Sequence, residues 1–170
     1  MITDDPLTEL VARIARWALA AKVRIVTAES CTGGWIAKVF TDTPGSSRWF
    51  ECGYVTYSNE AKMRDLRVPP RTLEQHGAVS EPTVREMAQG ALRASGADLS
   101  VAVSGVAGPE GGSAEKPVGT VWICVARRIS GAADFQLLVE GQRFGGNREA
   151  VRRASVQRAL ELILRFENPL

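Results

Sequence analysis

The chain has 170 residues, the size of one ordinary domain, with a net charge of +2 and a single histidine. Hydrophobic residues at 45% and charged residues at 24% describe a globular chain with a core and exclude a disordered or fibrous one. So small a charge gives no electrostatic case for nucleic acid, and one histidine with three scattered cysteines (Cys31, Cys52 and Cys124) leaves no ligand set for zinc. No pair of cysteines is spaced as CxxC, no run of about 18 apolar residues exists, and no basic-then-apolar leader opens the chain. The expected setting is the cytoplasm, with no membrane partner, no nucleic acid and no disulfide framework.

The first predicted element is an amphipathic helix, because Leu7, Leu10, Val11, Ile14, Trp17 and Ala18 recur at helical spacing. Residues 23–27 read as a short strand running into Ala28-Glu29-Ser30-Cys31-Thr32-Gly33-Gly34, with a helix over 35–40 behind it. Asp42-Thr43-Pro44-Gly45 is turn chemistry. Residues 49–57, rich in aromatic and β-branched types, form a second strand whose Trp49 and Phe50 suit either a core or an interface. Ser58 or Asn59 caps a short helix that carries Lys62. His76, followed by Gly77, fits the last turn of another short helix, where a cation and a glycine stop are both favoured.

Ser80 caps a helix over 81–95, with Pro82 tolerated in its first turn and Gly96 as its stop. An apolar strand over 99–104 leads into a Gly-rich segment, and strands over 118–126 and 135–140 form a hairpin. Asn147 caps the last helix, with Val156, Ala159, Leu160, Ile163 and Leu164 as its apolar face. Helices and strands alternate early and a hairpin comes late. The predicted fold is therefore α/β, a three-layer α/β/α sandwich around a mixed central sheet, in one domain over residues 1–170.

Three segments can carry chemistry. Ser30, between a strand and a helix, stands on a tight turn, where helix amides and the pliable Gly33 and Gly34 can hold an oxyanion or a phosphate alongside Thr32. A helix cap is the plain alternative, since the segment is not G-x-S-x-G. Lys62 follows Tyr57 in a first helical turn, where the helix dipole and burial both lower a lysine pKa. A neutral lysine can take a proton from a serine without histidine, with Tyr57 placed to relay it or hold the geometry. A solvated surface lysine is the alternative. In the Gly-rich loop, Ser104, Gly105 and Gly108 let backbone amides approach an anion, although the loop is neither a Walker A sequence nor G-x-G-x-x-G.

Cys31 is a second candidate nucleophile beside Ser30, whereas His76 has no neighbours that would make it part of a triad. The last helix carries Arg148, Arg152, Arg153, Arg158 and Arg165. Most read as a solvated face; Arg148, at the helix start after Phe144-Gly145-Gly146-Asn147, can face a phosphate.

Ala28-Glu29-Ser30-Cys31-Thr32-Gly33-Gly34, Tyr57-Ser58-Asn59-Glu60-Ala61-Lys62, Gly77-Ala78-Val79-Ser80, Ser104-Gly105-Val106-Ala107-Gly108-Pro109 and Lys116-Pro117-Val118-Gly119-Thr120-Val121 occur in that order. Together they resemble the CinA C-terminal domain family, the nicotinamide-nucleotide amidohydrolases, over about residues 7–164. The resemblance implies conversion of nicotinamide mononucleotide and water to nicotinate mononucleotide and ammonia. It implies a serine nucleophile assisted by lysine and tyrosine, which by motif position are Ser30, Lys62 and Tyr57. It also implies a reaction without metal or cofactor, a stand-alone form lacking the molybdopterin-type domain of many relatives, and a homodimer. Three other readings stay open at this point: a nucleotide-binding module without catalysis, a nucleic-acid partner suggested by the arginine-bearing helix, and hydrolysis of a related amide.

Overall fold

The computed structural model describes residues 5–129 and 134–167. Asp5 caps α1 (Pro6–Ala21) by accepting from the Leu7 amide, and Pro6 sits in the first turn, where its missing N–H costs nothing. Lys22 ends the helix in a left-handed conformation, and the Val23 amide still donates to the Ala18 carbonyl. β1 (Ile25–Glu29) therefore begins two residues later than its apolar sequence suggests and ends on Glu29.

α2 (Trp35–Thr41) and one 3-10 turn (Ser46–Arg48) lead to β2 (Phe50–Val55). α3 (Asn59–Leu66), α4 (Pro70–His76) and α5 (Glu81–Ser95) follow. Ser58, rather than Asn59, caps α3 by accepting from the Ala61 amide, and Ser80 caps α5. β3 (Leu99–Gly105) precedes β4 (Thr120–Arg128) and β5 (Phe135–Arg143). The last two pair as the expected hairpin and run past their predicted ends, because cross-strand bonding continues where the side chains turn polar; the tip lies outside the described residues. Asn147 caps α6 (Arg148–Leu164) by accepting from the Ala150 amide.

The sheet order is β2-β1-β3-β4-β5, with β2, β1 and β3 parallel and β4 and β5 antiparallel to their neighbours. Side chains alternate between its two faces, as a pleated strand requires. Ile25, Val101, Val103, Ile123 and Val125 join the core under α1, α2 and α6. Val26, Ala28, Ala102, Cys124 and Ala126 join the core under α3, α4 and α5. The fold is the expected three-layer sandwich.

Trp49 belongs to the core, not to an interface: it is 1% exposed, and its ring meets Phe40 edge-on at 5.0 Å. Gly90 lets α3 close against α5, since a Cβ there would lie 1.9 Å from the Leu66 carbonyl oxygen. That approach carries Lys62 into the protein. Among the described residues, no helix is long and apolar enough to cross a membrane.

Candidate active site

The parallel strands β2, β1 and β3 end on one edge of the sheet, followed there by Tyr57, Ser30 and, at the end of β3 itself, Ser104 and Gly105. From β1 the chain reaches β2 through α2 on one face and then β3 through α3 to α5 on the other. Open α/β sheets bind ligands at such divergence points, outside the carboxyl ends of the strands. The backbone fixes the edge: the Ser30 amide donates to the Val103 carbonyl at 3.0 Å, and the Thr56 amide to the Glu29 carbonyl at 2.9 Å.

A cleft of ≈ 190 Å³ at this edge gathers Ser30, Tyr57, Lys62, Ser104, Gly105 and Arg148, with Cys31, Ala78, Val79 and Ala107 completing its wall. It opens beside a second cleft of ≈ 410 Å³ at the start of α6, which shares Ala107 and Arg148. A larger cavity of ≈ 480 Å³ lies between α1 and α2 and contains none of these groups.

Lys62 Nζ lies 3.0 Å from Ser30 Oγ, 2.7 Å from the Thr56 carbonyl oxygen and 3.2 Å from the Tyr57 carbonyl oxygen. The two carbonyls can only accept hydrogen bonds. A neutral amine has two N–H groups, which those carbonyls take, leaving its lone pair for the serine hydroxyl proton. Lys62 is fully buried, and burial lowers its pKa from the ordinary 10.5 to about 8, partly opposed by the negative form of Cys31. Of the two causes read from the sequence, the helix dipole and burial, burial leads.

Tyr57 contributes to the Lys62 site through its main chain. Its side chain is exposed, and its hydroxyl accepts from Arg148 Nη2 at 3.1 Å, so Lys62 reaches Ser30 directly and not by way of the phenol. Arg148 also donates to the Gly108 carbonyl oxygen at 2.8 Å. Gly108 is thus tied to Arg148 through its carbonyl. Its φ of +79° and a would-be Cβ only 2.5 Å from Val118 reserve the position for glycine.

The turn after Ser30 differs from a serine-capped helix. Gly34 precedes α2 without any side-chain cap, and the amides of Ile36 and Ala37 donate instead to the Glu29 carboxylate, at 3.0 and 2.9 Å. The buried Thr32 hydroxyl donates to the same carboxylate at 2.8 Å, and the Gly33 amide donates to the Ser30 carbonyl at 3.0 Å. Glu29 thus caps α2, and Thr32, Gly33 and Gly34, one of the three places the sequence offers for a phosphate, do not line the cleft. Sequence reasoning missed the role of Glu29 because a carboxylate at the end of a strand is not where a helix cap is sought.

It also missed Arg152. From α6 this side chain donates through Nε to the Cys31 carbonyl at 3.1 Å and through Nη2 to the Thr32 carbonyl at 2.9 Å, with the Trp35 ring beneath it at 5.3 Å. Arg153 pairs with Asp5, and Arg158 makes a two-pronged pair with Glu140, so this helix face is less a solvated surface than the sequence implies. His76 is exposed at the end of α4, and its carbonyl accepts from Lys116. Among the described residues, no three His, Cys, Asp or Glu side chains cluster as a metal site.

Burial pushes the Cys31 thiol up to about 11, which disfavours the thiolate a cysteine nucleophile needs. Cys31→Ser should therefore keep kcat within about threefold of wild type, because the change retains volume and alters no catalytic proton. Steady-state kinetics of the purified variant checks this, and loss of turnover with the fold retained would reassign the nucleophile.

Residues 7–166 match the family described as the CinA C-terminal domain. The chain is 51% identical over 162 residues to the nicotinamide-nucleotide amidohydrolase PncC of Escherichia coli (strain K12), covering 95% of each chain. It is 54% identical over 165 residues to the protein of the same name from Enterobacter agglomerans, covering 96% of this chain and 97% of that one. It superposes with a TM-score of 0.90 on the crystal structure of a competence/damage inducible protein from Agrobacterium tumefaciens, at 42% identity and covering 96% and 97% of the two chains. Sequence and fold agree over nearly the whole length: the chain belongs to the CinA C-terminal domain family.

Proposed function

We propose that this amidohydrolase removes ammonia from nicotinamide mononucleotide as a single catalytic domain, with Ser30 as nucleophile and Lys62 as base. The observation that carries the reading is the 3.0 Å contact between the Ser30 hydroxyl and a fully buried lysine amine. The names of the relatives at about half identity supply the substrate class.

Neutral Lys62 takes the Ser30 proton as Oγ attacks the carboxamide carbon, forming a tetrahedral oxyanion. The C–N bond then breaks, Lys62 returns the proton to departing ammonia, and an ester remains on Ser30. Water, deprotonated by the same amine, attacks the ester, which releases the carboxylate product and restores the hydroxyl. The cationic pyridinium withdraws electrons from the carbonyl, and a neutral Lys62 does not repel it. Among the described residues the amide of Cys31, which lines the cleft, has no backbone acceptor, which suits it to the oxyanion.

The nicotinamide ring fits the cleft beside Ala78, Val79 and Ala107, and the ribose phosphate extends into the adjoining cleft at the start of α6. Arg148 stands between the two clefts and is the phosphate ligand in this reading. Arg148→Met should raise KM for nicotinamide mononucleotide by about 10- to 100-fold, the loss of one charge-assisted contact, with a smaller change in kcat. Equal kinetics with the nucleotide and the phosphate-free riboside in the wild type would remove this role.

The reading also places the protein in a reducing compartment, in keeping with three unpaired cysteines. It retains the homodimer, which sedimentation equilibrium tests directly. Release of ammonia and nicotinate mononucleotide in equal amounts is the outcome expected of the purified chain. Tight binding of the nucleotide with no ammonia released would leave the non-catalytic binding module as the better account.

A further inference from the structure

We infer that the Ser104 hydroxyl is an oxyanion donor that faces Lys62 across Ser30, an inference that rests on the acyl-transfer reading of the Ser30 site. β1 and β3 run parallel and in register as far as Glu29 and Val103. The Ser30 amide donates to the Val103 carbonyl at 3.0 Å, so the pairing continues and sets Ser104 beside Ser30. Side chains alternate along a strand. Ser100 donates from β3 to the Ala88 carbonyl of α5 at 2.8 Å, and Ala102 joins the core under α3, α4 and α5. Ser104 follows them on that face, the same face from which Lys62 of α3 meets Ser30.

Ser104 is only 1% exposed, and that surface belongs to the cleft wall. Ser100 finds an acceptor on α5, whereas among the described residues the Ser104 hydroxyl has no hydrogen-bond partner. Its main chain is committed elsewhere. The Arg128 amide donates to the Asp98 carbonyl and the Val106 amide to the Thr120 carbonyl, so even-numbered residues along β3 turn their main-chain groups to β4. Ser104 therefore offers the cleft its hydroxyl, not the amide expected from the sequence. A buried hydroxyl without a partner is costly, and a ligand in the cleft would supply one.

Direction decides which substrate atom it takes. The strand order at this edge is β2-β1-β3, and the carbonyls of Thr56 and Tyr57, just after β2, hold Lys62. The base thus stands on the β2 side of Ser30 and Ser104 on the β3 side. The departing nitrogen must face Lys62, which protonates it, so the carboxamide oxygen points toward β3. Adjacent strands lie about 4.8 Å apart. That spacing spans one C–O unit and an O–H···O⁻ bond of about 2.6 Å. The hydroxyl is then a second donor beside the Cys31 amide. Gly105 holds it in place: a Cβ there would lie 2.6 Å from Val121 Cγ2 and 2.8 Å from the Thr120 carbonyl oxygen. The bare α-carbon keeps β3 paired with β4 up to the lip of the cleft, as a preorganised donor requires.

The test compares wild type with Ser104→Ala and Ser104→Cys in three reactions of Ser30. The first is ammonia release from nicotinamide mononucleotide. The second is methanol release from the methyl ester of nicotinate mononucleotide, in which Ser30 attacks the ester carbon, the C–OCH3 bond breaks and Lys62 returns the proton to the departing methoxide. The third is labelling by a small alkyl fluorophosphonate, read by intact-protein mass, in which the Ser30 oxygen bonds phosphorus, fluoride leaves and Lys62 takes the proton. All three build charge on an oxygen, and only the first has a departing nitrogen.

Ser104→Ala should lose about 10²- to 10³-fold in kcat on both nucleotides with KM changed less than about threefold, as for a lost oxyanion donor. Labelling should slow in parallel, and the pH at which activity levels off should stay at the wild-type value. Ser104→Cys should remain close to Ser104→Ala, because a thiol keeps the volume but donates weakly. Unchanged kcat, a rise confined to KM, or full activity in Ser104→Cys would each overturn the inference. A loss on the amide alone would also overturn it, by giving the hydroxyl to the nitrogen. If wild type labels at Ser30 but hydrolyses neither nucleotide, the substrate reading fails while the labelling rates still decide the role of Ser104.

Discussion

Replacing Lys62 with methionine should lower kcat by on the order of 10⁴-fold or more, the scale of losing the base on which a nucleophile depends. Methionine matches the reach of lysine and suits a buried site, so circular dichroism should report an intact fold. Lys62→Arg should be equally inactive, because a guanidinium holds its proton at every accessible pH.

The wild-type profile follows from the same geometry. Burial sets the Lys62 pKa at about 8, and the active form is the neutral amine. Activity should therefore climb tenfold per pH unit below about 8 and level off above it. A flat profile between pH 6 and 9 in a folded enzyme would remove Lys62 as the base.

The sign of the accompanying stability change is fixed as well. A folded pKa of about 8 against an ordinary 10.5 means that the neutral form favours folding. This contribution is fully present above 10.5 and is lost as pH falls through about 8. Relative to Lys62→Met, the wild type should lose thermal stability across that window and hold a constant difference below it.

Ser30→Ala should abolish turnover, with a loss on the order of 10⁵- to 10⁶-fold in kcat, yet bind nicotinamide mononucleotide with nearly wild-type affinity. The nucleophilic oxygen is hydrogen-bonded to Lys62, and the Ser30 main chain is held separately by its amide bond to the Val103 carbonyl. Its removal costs about 1 kcal/mol of hydrogen bonding and leaves the cleft in place. Calorimetric titration with the nucleotide checks the binding half, and an ammonia assay the catalytic half. Residual turnover within about tenfold of wild type would require another nucleophile, and Cys31 is poorly suited because burial raises its thiol to about 11.

Both predictions concern residues that the sequence presents openly. Ser30 sits where a strand gives way to glycines, and Lys62 follows a serine cap, so local pattern places each at an element boundary. The caps at Ser80 and Asn147, the choice of Ser58 or Asn59 for α3, and the apolar run of β3 were legible for the same reason. What was not legible depends on partners distant in the chain. Arg152 grips carbonyls about 120 residues away, and carbonyls carry no mark in a sequence. Glu29 caps α2 from the end of β1, whereas a cap is sought in the residue that adjoins the helix, here Gly34.

The depth of Lys62 depends on Gly90 in α5, whose missing side chain lets α3 approach. Val23 reads as strand by its β-branched side chain, but the left-handed turn at Lys22 keeps it bonded to α1. Tyr57 lines the cleft, and its hydroxyl is held by Arg148, a contact set by how α6 docks on the sheet.

The acyl-enzyme on Ser30 is the centre of the account, and partition by hydroxylamine tests it most directly. With nicotinamide mononucleotide as substrate, hydroxylamine should divert the ester to the hydroxamate in proportion to its concentration, while the rate of ammonia release is not reduced. Ser30→Ala should form none. Ammonia release from the wild type with no hydroxamate at any hydroxylamine concentration would mean that water attacks the amide directly, and would contradict the assignment of Ser30 as nucleophile.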